Sequence, residues 1–251
     1  GRRLLNDTDP TLVDRTPYSI DEAENLELSP TRSRFTWRGY QIELLIPGRF
    51  NVANAIAALH VADQLGYDIA DAAAGLGSVE RVKGRFEAVN VDGADVDVVV
   101  DYSHKPDALI AMLSAAREVG HGRLIVVFGA GGDRDRVKRP QMGQAAVRGA
   151  DRVIITSDNP RHEDPDAIIE DILRGCEGDG SVTVEPDRAS AIALAIAQAA
   201  PGDLVVIAGK GHETTQTVGD QKFPFDDAAH ARRALERRAA TGQSRPQVGN
   251  Q

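Results

Sequence analysis

Val96-Asp97-Val98-Val99-Val100, running on into Asp101-Tyr102-Ser103-His104-Lys105-Pro106, is the stretch that decides the fold: a β-branched run, a polar loop, then a proline that can start a helix. Proline suits a first helical position because its fixed φ is already helical and the missing N–H would have had no partner there. The same unit recurs down the chain. Strands are expected over 96–100, 124–128, 153–156, 182–184 and 204–208, and helices over 106–119, 141–148, 165–173, 188–199 and 226–238. Asp164 can cap the third helix and Pro165 fits its first position. Apolar strands alternating with helices imply a buried, mostly parallel sheet. With right-handed crossovers this is an α/β, Rossmann-like, doubly wound fold.

In such a sheet ligands bind outside the carboxyl ends of the strands, so the residues after each strand matter most. After 96–100 comes Asp101-Tyr102-Ser103-His104-Lys105. After 124–128 comes Gly129-Ala130-Gly131-Gly132-Asp133-Arg134-Asp135-Arg136. After 153–156 comes Ser157-Asp158-Asn159-Pro160-Arg161, and after 204–208 comes Gly209-Lys210-Gly211-His212-Glu213. Four loops rich in glycine, charge and histidine on one edge mean a site. Arg134 and Arg161 offer planar forks suited to carboxylate or phosphate. Glu213 offers an acceptor suited to an ammonium group. A pocket with both signs fits an amino acid charged at both ends, and each charge-assisted hydrogen bond is worth about 1.5–3 kcal/mol. The run Gly129–Gly132 is a poor dinucleotide fingerprint, because Arg134 stands where the last glycine should be. It reads instead as a tight turn with its glycines at positive φ. Gly209-Lys210-Gly211-His212 is no phosphate-binding P-loop either, since no Ser or Thr follows the lysine.

Composition narrows the class. The 251 residues are 41% hydrophobic but only 4% aromatic, which suits parallel strands packed on Ala-rich helices. A net charge of -9 argues against nucleic-acid binding, which needs a basic face. The single Cys176 cannot form an internal disulfide, and a reducing, cytoplasmic setting is expected. No stretch reaches the roughly 20 apolar residues that span a bilayer. The first residues, Gly1-Arg2-Arg3-Leu4-Leu5-Asn6, have no signal-peptide pattern and read like a chain entered midway.

Upstream of the sheet the pattern differs. Residues 1–34 are polar and turn-rich. Residues 35–46 read as a hairpin turning at Arg38-Gly39, followed by helices over 50–65 and 69–76, closed by Gly66 and Gly77. A connector over 81–87 follows. The polar tail from 239 onward is expected to be disordered. His60, His121, His162 and His230 are expected at the surface. Arg136, Lys138 and Arg139 could add positive potential to the site or form a solvated face.

Taken in order, these loops resemble a known family. Val99 to Leu109 (VVDYSHKPDAL) is similar to the segment opening the C-terminal domain of Mur ligases. GAGGDRDRVKRP (129–140), DNPR (158–161) and GKGHE (209–213) resemble the loops of the member that adds a diamino acid to a peptidoglycan precursor. Gly48 to Ala55 resembles the helix start that closes the family's central ATP-binding domain, and Gly84-Arg85-Phe86-Glu87 its interdomain connector. The resemblance implies that 1–83 is the end of the central domain, 84–240 the C-terminal Rossmann-like domain and 241–251 a tail. It implies an ATP- and Mg2+-dependent ligase acting as a monomer. ATP converts the terminal carboxylate of a UDP-linked muramoyl dipeptide to an acyl phosphate, and an amine, meso-diaminopimelate here, attacks it to form an amide. Asn51, Arg85, Asp101 and His104 would face ATP. Arg134, Asp158, Asn159, Pro160, Arg161, Gly209 and Glu213 would hold the diamino acid, the two arginines on carboxylates and Glu213 on an ammonium.

The bland readings are a helix cap for Asn51 and capping at a strand end for Asp101 and His104. The family's phosphate-binding loop, magnesium-binding acid, carbamylated lysine and UDP-binding domain do not occur among these residues and would precede Gly1, so the chain alone is expected to be inactive. Two alternatives stay open: a ligase of the same superfamily using L-lysine or another amino acid, and a binding module that kept the pocket without catalysis. Arg161 discriminates the first, because lysine has no distal carboxylate to pair with it.

Overall fold

The computed structural model describes residues 16–176 and 181–243. A three-stranded antiparallel sheet comes first, made of β1 (Glu24–Leu28), β2 (Ser33–Trp37) and β3 (Tyr40–Leu44), and packs against α1 (Arg49–Gln64) and α2 (Ile69–Gly77). Strand alternation puts Phe35, Trp37, Ile42 and Leu44 on the inner face, where they pack with Val52, Ile56 and Leu59 of α1. The β2–β3 turn falls at Arg38-Gly39, both at positive φ (48° and 84°), the geometry a two-residue hairpin turn with matching twist requires.

Three expectations change here. β1 lay hidden in a stretch that reads as turn-rich, because the glutamates of Glu24-Asn25-Leu26-Glu27-Leu28 mask its half-buried leucines. α2 includes Gly77 and ends at Ser78, whose Oγ bonds the Gly75 carbonyl. His60 is buried, not at the surface: its Nε2 lies 2.7 Å from Glu22, and its ring meets Trp37 edge-on.

The main sheet follows, through β4 (Glu87–Ala88), β5 (Asp97–Asp101), α3 (Pro106–Val119), β6 (Leu124–Phe128), α4 (Lys138–Gly149), β7 (Arg152–Ile155), α5 (Pro165–Leu173), β8 (Val182–Val184), α6 (Arg188–Gln198) and β9 (Leu204–Ala208). The hairpin β10 (Thr215–Val218) and β11 (Gln221–Pro224) precedes the last helix, α7 (Asp227–Gln243). The six-stranded order is β4-β5-β9-β6-β7-β8; every pairing is parallel except the short edge strand β4.

Alternate residues of each strand serve opposite faces. Val99, Val126, Phe128, Val153 and Val206 pack against α3, α4 and α5. Val98, Val100, Ile125, Val127, Val205 and Ile207 pack against α6 and α7. This double cover explains why the strands read as unbroken apolar runs. Because β9 returns between β5 and β6, the carboxyl ends of β5, β9, β6 and β7 lie side by side on one edge.

Two helix boundaries move. α4 starts at Lys138, with Pro140 in its first turn, where an N–H has no partner to lose. α7 runs to Gln243, so residues 239–243 are helical, not disordered, and the rest of the tail lies outside the described residues. Among the described residues no helix is long and apolar enough to cross a membrane.

Candidate functional site

The edge holds a cleft of about 350 Å³ lined by residues of four loops. It brings together His104 and Lys105 after β5, Gly129 to Gly131 and Arg134 after β6, Asp158, Asn159 and Arg161 after β7, and Gly209 and Glu213 after β9. Asn51, Arg85, Asp101 and Pro160 lie outside its lining.

The glycines of the loop after β6 work differently from the expectation. None of Gly129, Gly131 and Gly132 has positive φ; the left-handed residue is Asp133, at 53°. The glycines are needed for close approach. A Cβ on Gly129 would strike the Thr156 carbonyl, and one on Gly132 would strike the carbonyl of Pro160. Side-chain-free backbone therefore lets the loop lie directly on Asp158–Arg161, with Gly132 N–H bonded to the Asn159 carbonyl at 2.9 Å. Pro160 contributes this backbone surface, and its carbonyl also accepts from Glu163 N–H.

The cations sort into two groups. Arg139 is buried, not part of a solvated face, and binds Glu163 and Asp171 at 2.8 and 3.0 Å. Arg136 also pairs with Glu163, and Lys138 with Asp135. The Arg139 hydrogen bonds hold the Glu163 carboxyl down to about 2. Arg134 and Arg161 form no ion pair among the described residues. Arg134 is exposed, and Arg161 spends one guanidinium N–H on the Gly132 carbonyl at 2.7 Å. Two planar forks are thus left open to the cleft.

The acceptors have a common anchor that sequence reasoning missed. Lys210 is wholly buried, and its ammonium donates to Asn159 Oδ1 (2.8 Å) and the Thr215 carbonyl (2.9 Å). It also sits 3.7 Å from Asp158 and 3.5 Å from Glu213. Asn159 completes the set by donating to Glu213 Oε2 at 2.9 Å. Burial pushes the Asp158 carboxyl up, against the pull of Arg188 and Lys210. Asp158 is therefore a buried acid whose charged form a further cation would stabilise. The signal for Lys210 was its place in the glycine loop, set aside once the P-loop pattern failed.

A second group lies beside the cleft. Gly84 packs so closely on the backbone of Gly211-His212 that no side chain fits there, which brings the connector onto the β9 loop. The exposed Arg85 guanidinium lies over the Tyr102 ring at 5.1 Å, and His104 and His212 flank the same ring. Asp101 turns inward: its carboxylate accepts from Phe86 N–H and from Ser103, each backbone bond 2.8 Å. Asn51 sits in the first turn of α1, bonded through Nδ2 to the Pro47 carbonyl; the residue at the cap position is Gly48.

Comparison with known proteins agrees with this architecture. The family described as "Mur ligase, glutamate ligase domain" matches residues 84–211. The chain belongs to the Mur ligase family. Mur ligase relatives named UDP-N-acetylmuramoyl-L-alanyl-D-glutamate--2,6-diaminopimelate ligase include one from Gloeobacter violaceus, 44% identical over 96% of this chain and 53% of its own length. Another, from Parasynechococcus marenigrum, is 51% identical over 76% of this chain and 39% of its own. A solved structure of an enzyme of that name superposes with a TM-score of 0.66 at 39% identity, over 86% of this chain and 45% of that one. UDP-N-acetylmuramate-alanine ligase from Thermotoga maritima shares the fold, with a TM-score of 0.58 at 22% identity. The chain thus spans about half the length, or less, of these Mur ligase relatives.

Proposed function

We propose that this chain is the C-terminal part of a cytoplasmic, monomeric, ATP-dependent ligase that forms an amide between meso-diaminopimelate and UDP-MurNAc-L-Ala-D-Glu. The observation that carries the reading is the charge arrangement of the cleft: two arginine forks without carboxylate partners stand with two carboxylates, Asp158 and Glu213, in one small space. A diamino diacid has the complementary set. In this reading Arg134 and Arg161 each take a carboxylate, and Asp158 and Glu213 take an ammonium. Asn159 and Lys210 hold those acceptors in place. The unoccupied fork also accounts for the choice against lysine, which would leave Arg161 desolvated and unpaired.

The exposed Arg85 and His104 are suited to face ATP phosphates, where Arg supplies fixed positive charge without reorganising. Asp101 acts on that group by holding Phe86, the residue after Arg85, and Asn51 follows Phe50, whose ring meets Phe86 edge-on from α1. ATP and Mg2+ would supply activation of the dipeptide carboxylate as an acyl phosphate. Among the described residues there is no group of three or more His, Cys, Asp or Glu that could hold a metal ion. In the same reading 1–83 closes the central domain, 84–240 carries the amino-acid site, and the chain alone forms no amide.

Calorimetric titration of the chain with meso-diaminopimelate and with L-lysine tests the assignment. Diaminopimelate is expected to bind at least about tenfold tighter, the value of one lost charge-assisted bond. Equal affinity for lysine would overturn it.

A further inference from the structure

His162 follows Arg161 and lies between two carboxylates from different loops. Its Nδ1 is 2.9 Å from Asp133 Oδ2 and its Nε2 is 3.1 Å from Asp220 Oδ1. A neutral imidazole has one donor and one acceptor, so only the protonated ring can donate to both. The two carboxylates belong to the two loops that already grip Arg161. Gly132, the residue before Asp133, receives the Arg161 guanidinium on its carbonyl at 2.7 Å. Gly219, the residue before Asp220, donates its N–H to the Arg161 carbonyl at 2.7 Å, while Arg161 N–H donates to Thr217. Each hold on Arg161 is therefore repeated one residue along by His162.

The grip has something to resist. Arg161 and Asp133 are both non-glycine residues in the left-handed region, at φ of 51° and 53°. Such conformations cost free energy and persist only where the surroundings impose them. Among the described residues the β10–β11 hairpin joins no strand of the main sheet; it meets Arg161 through a bridge at Val218, and its Thr215, Gln216 and Thr217 bond to Lys210, Asp158 and Asn159. The charged groups facing His162 are Asp133 from the β6 loop and Asp220 from the hairpin turn. Glu163, its chain neighbour, is neutralised by Arg136 and Arg139.

We propose that His162 is a positioning residue that, in its protonated form, clamps the β6 loop and the β10–β11 turn around Arg161 and so makes the hold on the ligand's distal carboxylate depend on pH. The two carboxylates raise the imidazole above its ordinary range. The clamp is complete below the ordinary histidine pKa and opens as pH rises through the raised value, the sign expected for a cation stabilised by folding.

The inference rests on the proposed amino-acid site but is tested separately from it. Amide hydrogen exchange of Gly219 and Arg161 needs no ligand. The protection factor of these amides, taken against the intrinsic rate at the same pH, is expected to fall several-fold in His162→Ala and in Asp220→Asn, a conservative change in an exposed turn, and in the unsubstituted chain at pH 8 relative to pH 6. Unchanged exchange in both variants overturns the clamp, whatever the ligand does. Titration with meso-diaminopimelate should then show about threefold to tenfold weaker binding in both variants at pH 6, the difference vanishing at pH 8, with L-lysine unaffected. Parallel pH profiles for the chain and His162→Ala, or an equal change for lysine, would also overturn it. Failure of the unsubstituted chain to bind diaminopimelate at any pH counts against the proposed function alone.

Discussion

Arg161 shows how little of a side chain's role lies in its type. Its neighbourhood contains several cations, and most are spent internally: Arg136 and Arg139 on Glu163, Lys138 on Asp135. What distinguishes Arg161 is that, among the described residues, only one of its guanidinium N–H groups is used, on a backbone carbonyl that aims the fork without neutralising it. Arg161→Ala is therefore expected to weaken meso-diaminopimelate binding about 10- to 100-fold, the equivalent of one or two charge-assisted bonds, while L-lysine binding stays within about twofold. Calorimetry on the two ligands checks this. Lys210 makes the complementary point. A fully buried ammonium among Asn159, Asp158 and Glu213 offsets part of the repulsion between two carboxylates that share a small space.

At the scale of elements, the loop after β6 depends on contact with the loop after β7, and that contact is possible only because two glycines, Gly129 and Gly132, remove the side chains between them. Gly132→Ala would place a Cβ inside the Pro160 carbonyl. The loop must move, at a cost of about 1–3 kcal/mol for overpacking. A drop of that size in the urea midpoint stability, with loss of diaminopimelate binding, is the expected result; an unchanged midpoint would contradict the close-approach account. The same two loops and α4 meet at Glu163, whose folded carboxyl is lowered from 4.5 to about 2. A lowered carboxyl contributes stability that is present above its ordinary value and lost as pH falls toward the folded one. Unfolding followed from pH 5 to pH 2 should therefore fall less steeply in Glu163→Gln than in the unsubstituted chain.

Across the whole molecule, one buried ion pair ties the site edge to the last helix. Arg188 at the start of α6 and Asp227 at the start of α7 are both fully buried, joined by two bonds of 2.8 Å. Arg188 also donates to the carbonyls of Ala208 and Ser157, at the ends of β9 and β7. One guanidinium thus fixes the spacing of two strand ends that carry the cleft. Removing its partner in Asp227→Ala leaves a buried cation and is expected to cost about 3–5 kcal/mol. Chemical denaturation measures this, and a change below about 1 kcal/mol would show the pair to be dispensable.

Much of this was legible in the residues. The β-branched runs marked β5 to β9 to within a residue, because strands covered on both faces must be apolar throughout. The loops that follow them announced a site through glycine, charge and histidine clustered where a parallel sheet binds ligands. Weakly patterned elements escaped: β1, masked by its glutamates, and the Thr215–Pro224 hairpin, whose polar runs around Gly219-Asp220 carry little hydrophobic signal. The tertiary structure alone decided which charges are spent and which remain open. Residue type is a local property, but the pairing of Arg139 with Glu163 and Asp171, the burial of Lys210 and the hold of the Gly132 carbonyl on Arg161 depend on segments that only folding brings within hydrogen-bonding distance.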